Sequence, residues 1–483
     1  MPTLLWRGIN TSAVKFKRIF MSQHQHYRHL ALIAAMALFM QSLDATILNT
    51  ALPAISASLN ESPLEMQMTI ISYSLTVALF IPLTGWIADK YGTLNVFRAA
   101  VGIFVLGSVA CAMANSLNAL IWSRILQGMG GALMMPVARL TIIRNVPKTQ
   151  LVAAWNAMAM AGLIGPVLGP IVGGWLVTHA TWHWIFLINI PIGVLGILFA
   201  GRYMPNSTGK INKLDWRGFI LFAGGLAGVT LGLDLLSEER VNPGITTAIL
   251  GTGFISFLLY YYYAKRAKNP LLPLNVFQVR TFRIGMIANI FIRLTASGIP
   301  FLMPLMLQLV FHYSADIAGW LLAPIALSSI ITKSFAGKVL ASFGYKTTLI
   351  STALSMTLAV VAMSLLHQHT GLWLLVCVLA WYGCCMSIIF TAINTLTVCE
   401  LSDHNASTGA TYLSVIQQVG ISIGIAVSAV ILDCYRHVIG EQGEQLQQAF
   451  SYTFLTSALF GIALLWTLLY LKKNDGAGNF HHK

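Results

Sequence analysis

The stretch GWIADKYG at residues 85–92 has a counterpart, GKVLASFG, at residues 337–344. In each stretch two glycines lie seven residues apart, between one long apolar segment and the next. Glycine is the residue type that best allows a tight turn between two such segments. We interpret the two stretches as an internal repeat, in which each marks the end of the second segment of a six-segment unit. Parallel repeats of this kind are typical of membrane transporters, whose substrate site lies between the two halves.

The composition places the repeat in a membrane. The chain has 483 residues, of which 57% are hydrophobic and 9% are charged, and its mean hydropathy is +0.73. Soluble domains are about 25% charged, and apolar runs of about 20 residues suit a membrane-spanning helix. A membrane β-barrel would instead show alternating strands of about ten residues. We predict an all-α integral membrane protein with fourteen transmembrane helices, at residues 29–53, 66–88, 96–114, 117–140, 151–177, 183–204, 214–235, 244–264, 282–310, 316–340, 347–366, 371–398, 407–433 and 449–471.

The net charge of +14 is distributed in a way that argues against nucleic-acid binding. Of the 29 Lys and Arg residues, we place 24 on one side of the membrane. Arg240 and Arg436 lie on the other side, and Arg124, Arg293 and Lys333 fall inside apolar segments. This asymmetry follows the positive-inside rule, so both termini are expected in the cytoplasm.

The loops follow the same rule and define the expected organisation. Arg139, Arg144 and Lys148 mark one cytoplasmic loop, whereas Glu238 and Glu239 lie in a loop on the opposite side. The N-terminal segment is polar and basic, unlike a cleavable signal peptide. The expected units are a cytoplasmic segment at 1–28, a six-helix bundle at 29–206, two extra helices with linkers at 207–275, a second six-helix bundle at 276–471 and a cytoplasmic tail at 472–483.

Asp44 is a carboxylate inside the first apolar segment, within LDATILNTALP at residues 43–53. A charge at membrane depth costs about 2.5–3.5 kcal/mol on insertion scales, so such residues usually face a cavity, a partner or an ion path. At the α-helical rise, Asp44 lies roughly 14 Å and Arg124 roughly 10 Å from the same outer membrane edge. Two interpretations stay open: a fixed buried ion pair, or a carboxylate whose proton affinity is tuned by Arg124 and by burial.

The stretch GLIGPVLGPIVGGW at residues 162–175 carries an unusual number of helix breakers for a membrane segment. Gly165, Gly169 and Gly173 recur every four residues and share one helix face, which lets another helix approach closely. The same stretch contains Pro166, Pro170 and Gly174. The simpler interpretation is close helix packing, and the functional one is a seal and pivot between the two halves.

Gly85, Asp89 and Gly92 are the notable residues of the first repeat loop. The two glycines are expected to turn the chain, and Asp89 to cap the next helix, where the helix dipole favours a carboxylate. The alternative is a cytoplasmic latch that breaks and reforms during transport. Ala341 replaces the acid in the second copy, so any latch is one-sided.

Polar and aromatic residues inside the apolar segments are candidates for a substrate cavity. They are Gln41, Asn49, Tyr73, Trp155, Arg293, Gln308, Asn394 and Gln417. The six cysteines show no spacing typical of a metal site, and we expect neither a metal nor a cofactor. Nucleotide-binding loops and hydrolase motifs are absent from the sequence, so we do not expect an enzyme.

At these residues the sequence resembles the Major Facilitator Superfamily, and within it the fourteen-helix drug:proton antiporters. The residues that match the family motifs are Asp44, Asn49 and Pro53 in the first segment, Gly85, Asp89 and Gly92 in the loop, and Arg124, Gln127 and Gly128 in the fourth segment. The stretch at 162–175 matches the fifth-helix motif that marks exporters. The loop departs from the family pattern at Thr93 and Leu94, where basic residues are usual.

The resemblance covers residues 29–471 and implies a major-facilitator-type fold, in which two six-helix bundles surround a cavity and two extra helices are inserted between them. It implies a monomeric exporter of small amphipathic compounds in the bacterial inner membrane, driven by protons, with Asp44 and Arg124 in proton coupling. An uptake symporter is the first alternative, and a membrane partner without transport activity is the second. The sequence leaves the substrate open.

Overall fold

The computed structural model describes residues 3–146, 148–209, 213–237 and 242–476, with backbone alone at 3–28, 148–157, 159, 237 and 403–404. All regular secondary structure in these ranges is helical, which confirms the expected all-α class. The side chains of the segment at 1–28 and of Trp155 therefore lie outside the described residues, as do Glu238, Glu239, Arg240 and the end of the tail at 472–483.

Sixteen α-helices follow one another in the described chain. The first eight are α1 (Thr3–Leu59), α2 (Gln67–Phe80), α3 (Thr84–Tyr91), α4 (Thr93–Ala112), α5 (Leu117–Asn145), α6 (Lys148–His179), α7 (Trp184–Leu187) and α8 (Asn189–Tyr203). The others are α9 (Trp216–Asp234), α10 (Pro243–Arg266), α11 (Arg280–Ala296), α12 (Ile299–Leu305), α13 (Ala315–Ser364), α14 (Leu372–Cys399), α15 (Asp403–Ile439) and α16 (Gly443–Leu469). A π-helical turn at Met306–Val310 ends the α11–α12 crossing.

These helices cross the membrane fourteen times. Among the described residues, thirteen continuous stretches are long and apolar enough to span a bilayer, and one of them is the 50-residue α13. A straight helix of that length would extend about 75 Å, whereas the bilayer core is about 30 Å thick. Gly344, at φ +71° and ψ 168°, breaks α13 into two crossings. The thirteen stretches therefore contain fourteen crossings, as the sequence predicts.

The crossings form two bundles that contact each other mainly through three helix pairs. In the first bundle α1 packs on α6, and α4 packs on α5 and α8; in the second, α11 packs on α15 and α16, and α13 packs on α14. Contacts between the bundles join α6 to α13, α2 to α15 and α1 to α12. Helix ends on one side carry most of the Lys and Arg residues, and we call this the basic side. The other side, with Glu61, Glu65, Asp316 and Glu441, is the acidic side.

The two inserted helices, α9 and α10, pack on each other as a hairpin, and α9 also contacts α2 and α15. The hairpin therefore lies against the seam where the two bundles meet. The side-chain amide of Gln67 on α2 donates a 2.9 Å hydrogen bond to Asp234 at the end of α9. Large apolar side chains of α10, such as Phe254 and Leu258, are exposed, as suits a helix that faces lipid.

The internal repeat is visible in the backbone. Gly92 has φ +85° and ψ 147°, and Gly344 has φ +71° and ψ 168°, so both copies turn the chain at the second glycine. The first glycine of each copy does not turn it. Gly85 lies within α3 and Gly337 within α13, and a Cβ at either would meet no other atom. The expectation that Gly85 is a turn residue is wrong, because α3 continues in helical conformation to Tyr91.

Candidate functional site: a buried ion pair beside a central cavity

A cavity of about 390 Å³ lies between the two bundles. Helices α1, α2 and α5 line it from the first bundle, and α11, α12 and α15 line most of the second. It reaches the basic side, where Arg139 of α5 and Ser414 of α15 line its wall. On the acidic side the bundles contact each other directly, since the Gln308 amide donates a 3.0 Å hydrogen bond to the Thr50 carbonyl oxygen.

Asp44 and Arg124 form an ion pair at the wall of this cavity. The Arg124 Nη1 atom lies 2.7 Å from the Asp44 Oδ2 atom, and 1% of each side chain is exposed. Arg124 Nε also donates to the Thr69 carbonyl oxygen at 3.0 Å. The guanidinium carbon lies 4.3 Å from the centre of the Tyr73 ring, a cation–π contact. Arg124 thus touches the cavity on one side and the buried carboxylate on the other.

Two amides complete the shell around the carboxylate. Gln127 Nε2 and Asn189 Nδ2 donate to Asp44 Oδ1 at 2.7 and 3.1 Å. The same two amides also contact the Ser108 hydroxyl oxygen, at 2.9 and 3.3 Å. Asp44 therefore receives hydrogen bonds from three side chains, which is the arrangement that a buried charged carboxylate requires.

The sequence pointed to part of this shell. Equal depth suggested that Asp44 and Arg124 meet, and the structure brings them into contact. Sequence reasoning did not place Asn189 or Ser108 in the site. The one clue was Asn189 itself, since it is the single amide side chain in the sixth apolar segment, at 183–204.

Arg139 requires a correction. The sequence predicts that it is a topology charge of a cytoplasmic loop, but α5 continues to Asn145, so Arg139 is a helical residue. Its exposed side chain lines the cavity near the basic side. Because the predicted segment ends at residue 140, the sequence could not show whether Arg139 is a loop charge or a charge at the mouth of a cavity.

The cavity candidates divide into three groups. Gln41, Asn49, Tyr73, Arg293 and Gln417 all line the central cavity. Trp155 has no described side chain. Two candidates require correction, because Gln308 and Asn394 are not among the described residues that line it. Gln308 lies in the π-helical turn beyond α12, which directs it to the contact between the bundles on the acidic side.

Arg293 lies on α11, and its guanidinium carbon is 4.3 Å from the centre of the Phe390 ring. Its Nε atom has no hydrogen-bond partner among the described residues. A Cβ at Gly420 would lie 2.6 Å from the Arg293 Cγ atom, and one at Gly424 would lie 2.6 Å from the Arg293 carbonyl oxygen. These two glycines let α15 run directly past Arg293.

The glycine face of α6 packs on α1, within the first bundle. A Cβ at Gly165 would overlap Ser42, one at Gly169 would overlap Thr46, and one at Gly173 would lie 2.5 Å from the Ile47 carbonyl oxygen. The expectation that these three glycines seal the two halves is therefore wrong. Their four-residue spacing keeps them on one side of α6, and that side faces α1.

Gly174 makes the contact between bundles instead. It lies about 100° further round the helix than Gly173, and a Cβ there would overlap the Ala315 carbonyl oxygen of α13. Reciprocally, a Cβ at Gly319 of α13 would overlap the Pro170 carbonyl oxygen of α6. Helices α6 and α13 thus approach at backbone distance near the acidic side.

Asp89 does not cap a helix, which corrects the simpler interpretation of the loop. Its Oδ1 atom accepts a 2.5 Å hydrogen bond from Arg144 Nη2 at the end of α5, and about a quarter of each side chain is exposed. The Gly209 N–H donates to the Asp89 carbonyl oxygen at 3.1 Å. Asp89 lies in the last turn of α3, which places it opposite α5. This contact joins helices of the first bundle rather than the two halves.

Comparisons with known proteins give the family. Residues 34–425 match the model of the Major Facilitator Superfamily. The chain belongs to the Major Facilitator Superfamily. The chain is 63% identical over 450 residues to "Probable transport protein HsrA" of Haemophilus influenzae, and the match covers 93% of this chain and 97% of the relative. It is 40% identical over 452 residues to "Putative multidrug resistance protein MdtD" of Salmonella typhi, covering 92% and 95%.

Solved structures show the same fold. A POT family transporter in complex with a conjugated peptide matches this superfamily member with a TM-score of 0.67 at 14% identity, over 92% of this chain and 96% of that one. A D-xylose–proton symporter matches with a TM-score of 0.63 at 13% identity, over 93% and 98%. The expected resemblance to the superfamily is confirmed, and the chain is a multi-pass membrane transporter.

Proposed function

We propose that this transporter exports small amphipathic compounds across the bacterial inner membrane in exchange for protons, and that it is not an enzyme. The basic side is the cytoplasmic side under the positive-inside rule, so both termini lie in the cytoplasm. The structure then corresponds to an inward-facing arrangement, in which the bundles meet at the Gln308–Thr50 hydrogen bond on the periplasmic side.

The observation that carries proton coupling is the buried Asp44. Its carboxylate is 1% exposed and receives three side-chain hydrogen bonds, a shell that suits the deprotonated form. The charged pair with Arg124 would break on protonation, because a neutral carboxyl no longer attracts the guanidinium. Asp44 would take up a proton when the outer side opens, and release it when the arrangement with Arg124 forms again.

Helix α1 supplies the link between the proton and the substrate. Asp44 faces Arg124, whereas Thr46 and Asn49 on the same helix line the cavity. A change at Asp44 can therefore shift side chains that face the substrate. The two-bundle fold supplies the alternation of access.

Export rather than uptake is supported by the Gly/Pro helix α6 and by the multidrug resistance relatives, which are similar over nearly the whole chain. The amphipathic substrate is supported by a cavity wall that mixes amides, aromatic rings and apolar side chains. Cavities of 300–1,000 Å³ are usual for drug-sized ligands, and this one falls in that range at about 390 Å³.

The test uses inverted membrane vesicles in which respiration has acidified the lumen. Addition of a transported compound should release protons from the lumen while the compound accumulates inside. A panel of amphipathic compounds is screened with this readout. Compounds that accumulate in right-side-out vesicles together with protons would instead establish uptake, and absence of any proton-linked flux across the panel would contradict the proposal.

A further inference from the structure

The central cavity carries an unbalanced positive charge. Arg124, Arg139 and Arg293 line it, and Asp44 neutralises only Arg124. A second cavity of about 320 Å³ adjoins the first and includes Lys333 in its wall. Thr46, Asn49, Pro300 and Met386 line both cavities. Among the described residues that line either cavity, none is Asp or Glu.

The sequence shows that no undescribed acid supplies the missing charge. The chain has 15 acidic residues, and the stretches 90–214, 240–315, 317–399 and 404–432 contain none. Of the acids whose side chains are not described, Glu238 and Glu239 lie in a loop on the acidic side. The third, Asp403, lies eleven residues before Ser414 on α15, about 16 Å away at the helical rise. Arg293 and Arg139 thus lack a protein counterion in the cavity.

Arg293 is placed to bind an anion. It lies thirteen residues into the crossing that begins at Arg280, which is roughly 20 Å along the helix and near the middle of the membrane. An unpaired cation at this depth is costly and usually marks a substrate path. The Phe390 ring holds one face of the guanidinium, while the Nε atom has no hydrogen-bond partner among the described residues. A planar guanidinium with free donors matches the geometry of a carboxylate or phosphate group.

The second cavity suits an apolar body next to that anion. Its wall includes Leu322, Ile325 and Phe390, and Phe390 is also the ring that contacts Arg293. An anionic group at Arg293 can therefore lie in the first cavity while an attached apolar group extends into the second. Arg139, exposed near the basic side, would attract anions toward the cavity entrance.

We infer that the transported compound is an amphipathic organic anion, whose carboxylate, sulfonate or phosphate group binds at Arg293 and whose apolar part lies in the second cavity. This inference deepens the proposed export and depends on it only for the direction of transport. A compound with a quaternary ammonium group would face Arg293, Arg139 and Lys333 in the connected cavities, and no lining carboxylate among the described residues would offset the repulsion.

The test measures binding to the purified full chain in detergent, without a proton gradient. The probes are matched series of aryl compounds with a carboxylate, sulfonate, phosphate, methyl ester or trimethylammonium group, such as 2-naphthoate and methyl 2-naphthoate. We expect at least one anion to bind ten times or more tightly than its ester, and the ammonium analogue more weakly still. Equal binding of ester and anion, tighter binding of ammonium compounds, or no anion binding in any series would overturn the inference.

Four variants test where the anion binds. Arg293→Gln should weaken anion binding at least tenfold and leave ester binding unchanged. Arg283→Gln removes a charge from the same helix at an exposed position outside the cavity lining, and should leave both unchanged. Arg293→Lys keeps the charge and should retain part of the affinity, and Arg139→Gln should slow association. Equal losses in the Arg283 and Arg293 variants would contradict a site at Arg293.

An anionic lysolipid in the same series separates a lipid headgroup from a free solute. Tighter binding of the lysolipid than of every aryl anion would overturn the assignment to a solute. The outcomes also separate this inference from the proposed antiport. Anion binding without proton-linked flux would contradict antiport alone, whereas proton-linked transport restricted to cations would contradict the anionic substrate alone.

Discussion

Asn189, at the start of α8, and Gln127, on α5, donate to the same oxygen of Asp44, at 3.1 and 2.7 Å. The Asp44 Oδ2 atom accepts from Arg124 on α5. Helix α1 is thus tied to α5 and α8 through a single carboxylate. A change in the protonation of this group would alter three hydrogen bonds at once. Protonation of Asp44 could therefore change how α1 packs on α5 and α8.

We predict that Arg124→Gln abolishes proton-driven transport and lowers stability. The substitution leaves Asp44 buried without its cation, and breaking one partner of a buried ion pair typically costs about 3–5 kcal/mol. The melting temperature of purified protein and transport in energised vesicles measure the two effects. Arg98→Gln, at an exposed position in the first bundle, is the control and should change neither. An unchanged melting temperature in Arg124→Gln would contradict the structural importance of the pair.

We predict that Asn189→Leu destabilises the protein more than Ser108→Ala does. Asn189 donates directly to the carboxylate, whereas the Ser108 hydroxyl accepts hydrogen bonds from the amides of Gln127 and Asn189 and, among the described residues, makes none with Asp44. A hydrogen bond to a charged group is worth about 1.5–3 kcal/mol, and a neutral one about 0.5–1.5 kcal/mol. Thermal unfolding of both variants side by side provides the comparison. The reverse order would show that the hydroxyl, not the amide, supports Asp44.

We predict that Gly169→Leu and Gly173→Leu leave the protein in the membrane but inactive or leaky. Leucine at either position would push α6 away from α1, because even a Cβ would meet Thr46 or the Ile47 backbone. Gly102→Leu is the matched control, since a Cβ there would meet no other atom within 4 Å. Membrane content by immunoblot and transport in vesicles are measured together. Normal transport by both α6 variants would show that close α1–α6 packing is dispensable.

Gly319→Leu should disfavour the inward-facing arrangement. The added side chain would overlap the Pro170 carbonyl oxygen and keep α13 from α6 near the acidic side. A cysteine at Ser414, which lines the cavity near the basic side, reports access from the cytoplasm in inverted vesicles through an impermeant maleimide. The assay uses a background without the exposed Cys377 and Cys434. In that background we expect Gly319→Leu to lower the labelling. Gly337→Leu is the control on the same helix, since a Cβ there would meet no other atom within 4 Å, and it should label as the parent protein does. Equal labelling of the parent, Gly319→Leu and Gly337→Leu would refute the prediction.

The ion pair between Asp44 and Arg124 could be predicted from the sequence, because the two charges are opposite and lie at similar depths in the membrane. The rise per residue is nearly constant, so depth along α1 and α5 could be counted from the ends of the apolar segments. The neighbour that a glycine face contacts cannot be predicted by counting residues. Gly165, Gly169 and Gly173 could have faced α1 or the other bundle, and only the packed structure decides that they face α1.

Helix ends were the other source of error. Both helices continue past the predicted segment ends at residues 140 and 88, so Arg139 lies within α5 and Asp89 within α3. The sequence instead predicts a loop charge at Arg139 and a helix cap at Asp89. Asn189 was missed for a different reason: an amide in an apolar segment has many possible partners, and its contact with Asp44 joins residues 145 positions apart.

The transport activity of Asp44→Asn is the most direct test of proton coupling, because it distinguishes downhill substrate exchange from proton-driven accumulation. In proteoliposomes the variant should still bind substrate and exchange it down its gradient, but should not concentrate it when a proton gradient is imposed. Asp234→Asn is the matched control, because Asp234 is also a buried carboxylate, 4% exposed, but lies at the end of α9. It should concentrate substrate as the unmodified chain does. If Asp44→Asn concentrates substrate against its gradient with normal pH dependence, Asp44 is a structural residue and the proton is carried elsewhere.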